Sequence, residues 1–428
     1  MKDKFAFYIR ITAVAAAAAG IVVTLFLMST EPMPNVISPK GSPVLHDETL
    51  AVDLVAEGLE SPTSMSFIDN GSILVLEKNS GRVRIVSDGK LLNEPAIEIE
   101  VAKGAEQGLL GIATWKEVNE TSVFLFLTEK YEDKIRNHVY KYIYNINKKT
   151  LENKTLLLDL PGEPGPFHNG GKISIGPHDG YLYAVIGDVN SGGGMLDNQI
   201  TGGPPNDKSV ILRVDRKTGL PVKGNPFSDY TGEMENLRRY FAYGIRNSFG
   251  MDFEPVTGKL WITENGDSAY DEINIVEPGF NSGWHKVMGP IGRTNVTVET
   301  DLTIFNGAKY EDPVFSWYAP VGVTDIEFLN SSELGDRYKN NIFVGDINNG
   351  NLYFFEVNQD RLGLRFHDPR LLDLVADPVR EGVSGELSSL ILGEGFGRIT
   401  DIESGPDGFL YILTYEDGKI YRITKNTT

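Results

Sequence analysis

The chain has 428 residues, with 46 glycines, 22 prolines, no cysteine and a formal net charge of −19. That length can bury one large core or several small ones. The acidic balance argues against a nucleic-acid partner, and the lack of cysteine excludes disulfides, thiolate nucleophiles and Cys-ligated zinc.

At the N-terminus, Lys2, Lys4 and Arg10 precede "ITAVAAAAAGIVVTLFLM", residues 11–28, an 18-residue run without a charge. This just reaches the length that spans a bilayer. No small-x-small cleavage site follows it. Residues 1–28 are therefore expected to be an uncleaved signal anchor, basic end inside, with the acidic body on the extracytoplasmic side of the cell membrane. A cleaved signal is the alternative. Residues 29–50, rich in Pro and Ser, read as an extended linker. Six N-x-S/T sequons, at Asn70, Asn119, Asn153, Asn295, Asn330 and Asn426, are compatible with an exposed, glycosylated domain.

From residue 51 onward one pattern returns: a Gly or Asn turn, an alternating apolar run, a second turn and a second run. Copies begin at Asp69, Asn119, His178, Val256, Lys339 and Pro406. Period-two alternation between such turns signals hairpins. Their repetition predicts an all-β fold, a six-bladed β-propeller of four-stranded antiparallel blades over residues 51–428. A β-sandwich does not explain the repeat. The stretch "AVDLVAEGL" is expected to complete the last blade and close the ring, which removes an open sheet edge. Little helix is expected beyond the anchor.

Functional residues of a propeller come from loops at one end of the channel, so polar residues ahead of the hairpins are the candidates. "FHNGGKISIG" holds His168 before two glycines, which permit close backbone approach. "AEQGLLGIA" holds Gln107, and "YGIRNSFGMDF" holds Arg246 and Asn247. "ITENGDSAYDEINIVEPGFNSGW" holds Glu264, Gly266, Asp267, Tyr270, Asp271 and Glu272.

In this order, and with "GRITDIESGPDGFLY" near the C-terminus, these motifs make the chain resemble the glucose/sorbosone dehydrogenase family over about residues 51–425. Members of that family are quinoprotein sugar dehydrogenases that use pyrroloquinoline quinone, and it includes non-enzymatic relatives. The resemblance implies that His168 is the general base taking the proton of a sugar hydroxyl, a role an imidazole suits. It implies that Arg246 stabilises charge developing on the quinone oxygen, with Gln107, Asn247 and Arg398 as further cofactor contacts. A calcium ion is expected against the cofactor, held by backbone carbonyls of Gly266 and Asp267, with Glu264 and Tyr270 as further ligands. The glycines after His168 are expected to let the backbone pass flat beneath the planar cofactor.

The chain departs from the family pattern at three places. Phe167 stands where many members have Asp before the base. Ile347 and Asn348 stand where a lysine meets the cofactor's carboxylates. Arg398-Ile399-Thr400 replaces an R-x-R. Each lost cation removes a charge-assisted bond of roughly 1.5–3 kcal/mol. The expected function is a membrane-anchored, calcium-dependent dehydrogenase of a sugar or polyol, with an external electron acceptor. A non-enzymatic surface propeller that binds glycans or a protein partner is the second reading. A calcium-dependent hydrolase such as a lactonase is the third.

Overall fold

The computed structural model describes residues 42–377 and 385–426. The expected anchor lies outside the described residues. Among the described residues no helix is long and apolar enough to cross a membrane.

The strands form six sheets. Their innermost strands are Pro62–Phe67, Leu109–Lys116, Ile173–Ile175, Gly250–Phe253, Val323–Phe328 and Ile399–Ser404. Each touches the next, and the last touches the first, so the sheets stand in a closed ring. The fold is an all-β propeller.

The sequence pattern explains why the ring is stable. Six apolar clusters fill the six gaps between consecutive sheets. One joins Leu74 and Val83 of the first sheet to Leu125 and Tyr140 of the second. Another joins Tyr411 and Leu413 of the last to Met65 and Val75 of the first. Each sheet is thus buried on both faces, and its middle strands, such as Leu182–Ile186, are apolar at every position.

Buried carboxylates tie the innermost strands together. Asp252 accepts from Phe328 N (2.8 Å), Asp325 from Ile402 N (3.0 Å) and Asp401 from Met65 N (2.6 Å), each reaching the next sheet. Lys172 crosses the channel to Asp325 (2.8 Å) and Asp401 (2.7 Å). Five acids surround this one lysine. Burial pushes Asp252 up to about 6, and holds Asp325, Glu327 and Glu403 well above the usual carboxylate range.

The strand Leu50–Ala56 pairs antiparallel with Lys419–Lys425, so the N-terminal strand closes the ring as expected. Two expectations are corrected. The linker does not extend to residue 50. Val44–Leu45 pair with Gly393 and Glu394 at the edge of the fifth sheet, and the closing strand begins at Leu50. Nor do the sheets all have four strands: only two do, and the rest have five or six. The additions are two-residue edge strands. Phe280–Asn281 lie parallel to Ala242 and Tyr243, and Val375–Ala376 lie parallel to Ser316 and Trp317. Helix among the described residues is limited to the four-residue Val298–Asp301 and short 3-10 turns.

Up-and-down connectivity brings two sets of loops to one end of the ring. One set leads into the innermost strands: 57–61, 102–108, 162–172, 244–249, 318–322 and 395–398. The other joins the second and third strands of each sheet and includes 187–209 and 265–270.

Candidate active site

Every candidate residue from the sequence lies in these loops or at the strand ends beside them. His168 sits in a segment clamped between the second and third sheets. Glu106 N donates to Pro166 O (3.1 Å) on one side; on the other, Val189 N donates to His168 O (3.2 Å). His168 has a left-handed φ of 59°. Its ring Nδ1 lies 2.7 Å from Asp188 Oδ1. The other oxygen of Asp188 accepts Trp284 Nε1–H at 3.0 Å. Asp188 is acceptor-only when ionised, so His168 carries its proton on Nδ1 and presents Nε2 as the free base. The imidazole is 16 % exposed, enough to meet a substrate at the mouth.

The space left by the glycines after His168 is taken by the protein itself. A Cβ on Gly170 would sit 2.8 Å from Val185 O, and one on Gly171 would sit 2.7 Å from Leu110 Cβ. They let the base loop press against its own sheet and the neighbouring one.

Arg246 comes to the same end. Its backbone N donates to Glu264 Oε1 (2.7 Å), and its O accepts Asp188 N (3.0 Å). The guanidinium donates to Asn265 O (3.1 Å) and Asp267 Oδ1 (3.3 Å), and lies 5.2 Å from the Trp284 ring centre. Its Nε is buried without a partner. Asp188 and Trp284 therefore join base and arginine into one rigid unit.

Asn247 supports the base loop from below. Its Oδ1 accepts Gly170 N–H and its Nδ2 donates to Glu106 Oε2, both at 3.1 Å. Glu106 also accepts His168 N–H at 2.6 Å. Burial holds the Glu106 carboxyl above its ordinary range, opposed by His168. Gln107, the expected cofactor contact, lies beside this segment. It is buried, and its amide packs against Gly104 and Gly165.

The acidic stretch divides into two parts. Gly266 accepts no side chain, because a Cβ there would meet Tyr270 O at 2.0 Å. Its N donates to Asp271 Oδ1 (3.0 Å), while Asp271 Oδ2 accepts three N–H groups from Val321, Gly322 and Val323. Asp271 thus fixes the 265–270 loop to the fifth sheet. Tyr270 has a left-handed φ of 62°, and its ring meets Tyr318 edge-on. Glu264 is not placed to be a metal ligand. It ends a fully buried strand, and its oxygens accept Arg246 N and Ser282 Oγ (2.6 Å). Burial, then the nearby Glu272, pushes it up to about 8. No group of three or more acids or histidines among the described residues is placed to hold a metal.

Arg398 lies across the ring, in a groove of about 550 Å³ with Asn79, Tyr415 and Glu416. Its buried Nε has no hydrogen-bond partner and lies 3.6 Å from Glu416 Oε2. Thr400, at the departed arginine position, points into the sheet and donates to Pro62 O (3.0 Å).

Fold and site together define a propeller carrying an oriented imidazole base and a partly unpaired arginine at one end of its ring. A profile of the Glucose / Sorbosone dehydrogenase family matches residues 59–422. The chain belongs to that family of sugar-oxidising oxidoreductases. It is 25 % identical over 382 residues to the aldose sugar dehydrogenase YliI of Escherichia coli K12, covering 88 % of this chain and 93 % of the relative. Two solved structures share the fold. The soluble aldose sugar dehydrogenase of Escherichia coli in its apo-form has a TM-score of 0.69 at 23 % identity, covering 88 % of this chain and all of that one. The PQQ-bound aldose sugar dehydrogenase of Streptomyces coelicolor has a TM-score of 0.63 at 21 % identity, covering 90 % and 100 %.

Proposed function

We propose that the chain oxidises the anomeric carbon of an aldose, with pyrroloquinoline quinone as hydride acceptor. The observation that carries this reading is the His168–Asp188 pair, which fixes a free imidazole Nε2 beside a partly unpaired arginine. The donor set suits a planar polyanion. Arg246 keeps a buried Nε without a hydrogen-bond partner, and Arg398, at the same end, meets only Glu416 at 3.6 Å through its Nε; arginine's fork matches carboxylates and carbonyl oxygens. Bound there, the quinone supplies a two-electron acceptor for the hydride of the sugar carbon. His168 Nε2 takes the hydroxyl proton, and Asp188 stabilises the imidazolium that forms. The Arg246 side chain is held against Asn265 and Asp267, where its charge can face developing negative charge without reorganising. Calcium would be held by the backbone carbonyls of Gly266 and Asp267, with water completing the shell.

On the same footing we read each of the six sheets as one blade. Residues 11–28 are read as an anchor that keeps the propeller on the extracytoplasmic side. The support is their 18 uncharged residues behind three basic ones. Fractionation with membranes and an intact N-terminus would support the anchor, whereas a mature chain starting near Glu31 would refute it.

The test of the activity is dye-linked oxidation of aldoses by the purified full-length chain with pyrroloquinoline quinone and calcium. His168→Ala should lower turnover by about 10²–10⁴-fold while cofactor binding persists. Lack of saturable quinone binding at micromolar levels overturns the reading. The surface propeller would then stand, favoured by Asn348 and Thr400 in place of cationic side chains.

A further inference from the structure

Phe167 precedes the base and is 45 % exposed. A lone exposed aromatic is ordinary on a protein surface. This one is not loosely placed. Residues 165–168 are bounded on one side by Glu106, which donates to Pro166 O, and on the other by Val189, which bonds both Gly165 and His168. With both flanks occupied, the ring is left exposed beside the mouth. It belongs to none of the six apolar clusters.

The position of Phe167 is tied to that of the base by one carboxylate. Phe167 N donates to Asn190 Oδ1 (2.8 Å), and Asn190 N donates to Asp188 Oδ1 (2.9 Å), the oxygen that faces His168 Nδ1. The same loop continues to Gly192, beside the exposed His285, whose ring packs edge-on against Trp284 at 4.6 Å. Two rings therefore flank the loop that carries the base's partner. Two acidic side chains of the rim, Glu163 and Asp267, are exposed.

The geometry points to Phe167 as a specificity-determining residue: its ring packs the C–H face of the sugar unit next to the one oxidised, so the site prefers the reducing end of a neutral oligosaccharide to a free monosaccharide. This rests on the dehydrogenase reading above. Consecutive Cα atoms are about 3.8 Å apart and their side chains diverge. The ring therefore lies beyond the carbon that meets His168, where a second sugar ring continues. An aromatic face buries the apolar side of a pyranose, and the acidic rim disfavours anionic sugars.

The experiment compares wild type, Phe167→Ala and Phe167→Trp in the full-length chain. Maltose and glucose are the substrates, with pyrroloquinoline quinone and calcium present. Maltose binding is also titrated calorimetrically without turnover. Phe167→Ala should lower kcat/KM for maltose about tenfold through KM, change glucose less than threefold, and weaken maltose binding to the same degree. Phe167→Trp should restore the preference. Turnover with an unchanged maltose-to-glucose ratio overturns this proposal alone. Lack of turnover of either sugar by wild type overturns the dehydrogenase reading and this proposal with it.

Discussion

Replacing Asp188 by asparagine keeps the side chain's shape but removes its charge and one acceptor. In the native site one oxygen faces His168 Nδ1 (2.7 Å) and accepts Asn190 N (2.9 Å), while the other accepts Trp284 Nε1 (3.0 Å). An amide has only one acceptor oxygen. Turned toward His168, it keeps two bonds and sets its NH₂ against the Trp284 N–H. Turned the other way, it keeps the Trp284 bond, donates its NH₂ to His168 Nδ1 once the imidazole proton moves to Nε2, and opposes only Asn190 N–H. The two orientations keep equal numbers of bonds, and in the second the free Nε2 is lost. What disappears in both is the negative charge opposite the imidazolium, which sets the smallest loss. A charge-assisted bond contributes about 1.5–3 kcal/mol and a neutral one about 0.5–1.5, a difference of about 1–1.5 kcal/mol, or about tenfold in rate. The N–H left unpaired, of Trp284 or of Asn190, costs a further ~1–3 kcal/mol of stability. Asp188→Ala removes all three bonds and leaves the tautomer unset, so its loss should approach that of deleting the base, about 10²–10⁴-fold. Dye-linked turnover at saturating quinone and calcium, with thermal melts alongside, measures both effects. Turnover within twofold of wild type in both variants refutes the assignment.

Arg246→Lys should weaken quinone binding at least about tenfold, because a lysine cannot reproduce the fork held at Asn265 and Asp267; a fluorescence titration with calcium present reads it. Lys172→Met should lower stability by about 3–5 kcal/mol in urea melts, since Asp325 and Asp401 lose their shared cation. That deficit should shrink at low pH, where Asp325, held by burial well above the usual carboxylate range, takes up a proton. Glu264 and Glu272 are pushed up by burial to about 8 and about 7. Because the folded state holds these protons more tightly than the unfolded chain, their stabilisation is full below about pH 4.5 and lost as pH rises through 7 and 8. Melting temperature against pH should show that decline, and Glu264→Gln/Glu272→Gln should flatten it. A chain beginning at residue 58 lacks the closing strand and should aggregate, as light scattering on purified protein would show.

The sheets were legible because their strands alternate between glycine turns, and the closing strand because a ring needs one. The two-residue edge strands carry no period of their own, so 280–281 and 375–376 could not be read. Val44–Leu45 hid in a Pro/Ser-rich stretch whose composition says linker. At the site, a motif supplied His168 and Arg246, but orientation within loops has no sequence signature. Glu106 and Gln107 are adjacent polar residues, and only the structure shows that Glu106 accepts His168 N while the Gln107 amide lies against Gly104 and Gly165. Glu264 looked like a loop acid but closes a buried strand, a boundary error of one or two residues that reverses its role. Asp188 was visible as the final residue of "YLYAVIGD"; an acid ending an apolar strand, twenty residues after a candidate base, was the available signal.

The closing strand also sets an order of events during synthesis. Leu50 pairs with Lys425, so a strand made early waits for the last. At about 5–20 residues per second that wait is about 20–75 s, with an unpaired strand edge exposed throughout. The strand carries its own guard: Asp53 lies at its middle, and a charge on an edge discourages pairing with a stranger. In the finished ring Asp53 stands directly opposite Arg422, at 3.1 Å. The charge that keeps the nascent strand solitary is the one its rightful partner neutralises, so fidelity of closure is written into a single cross-strand pair.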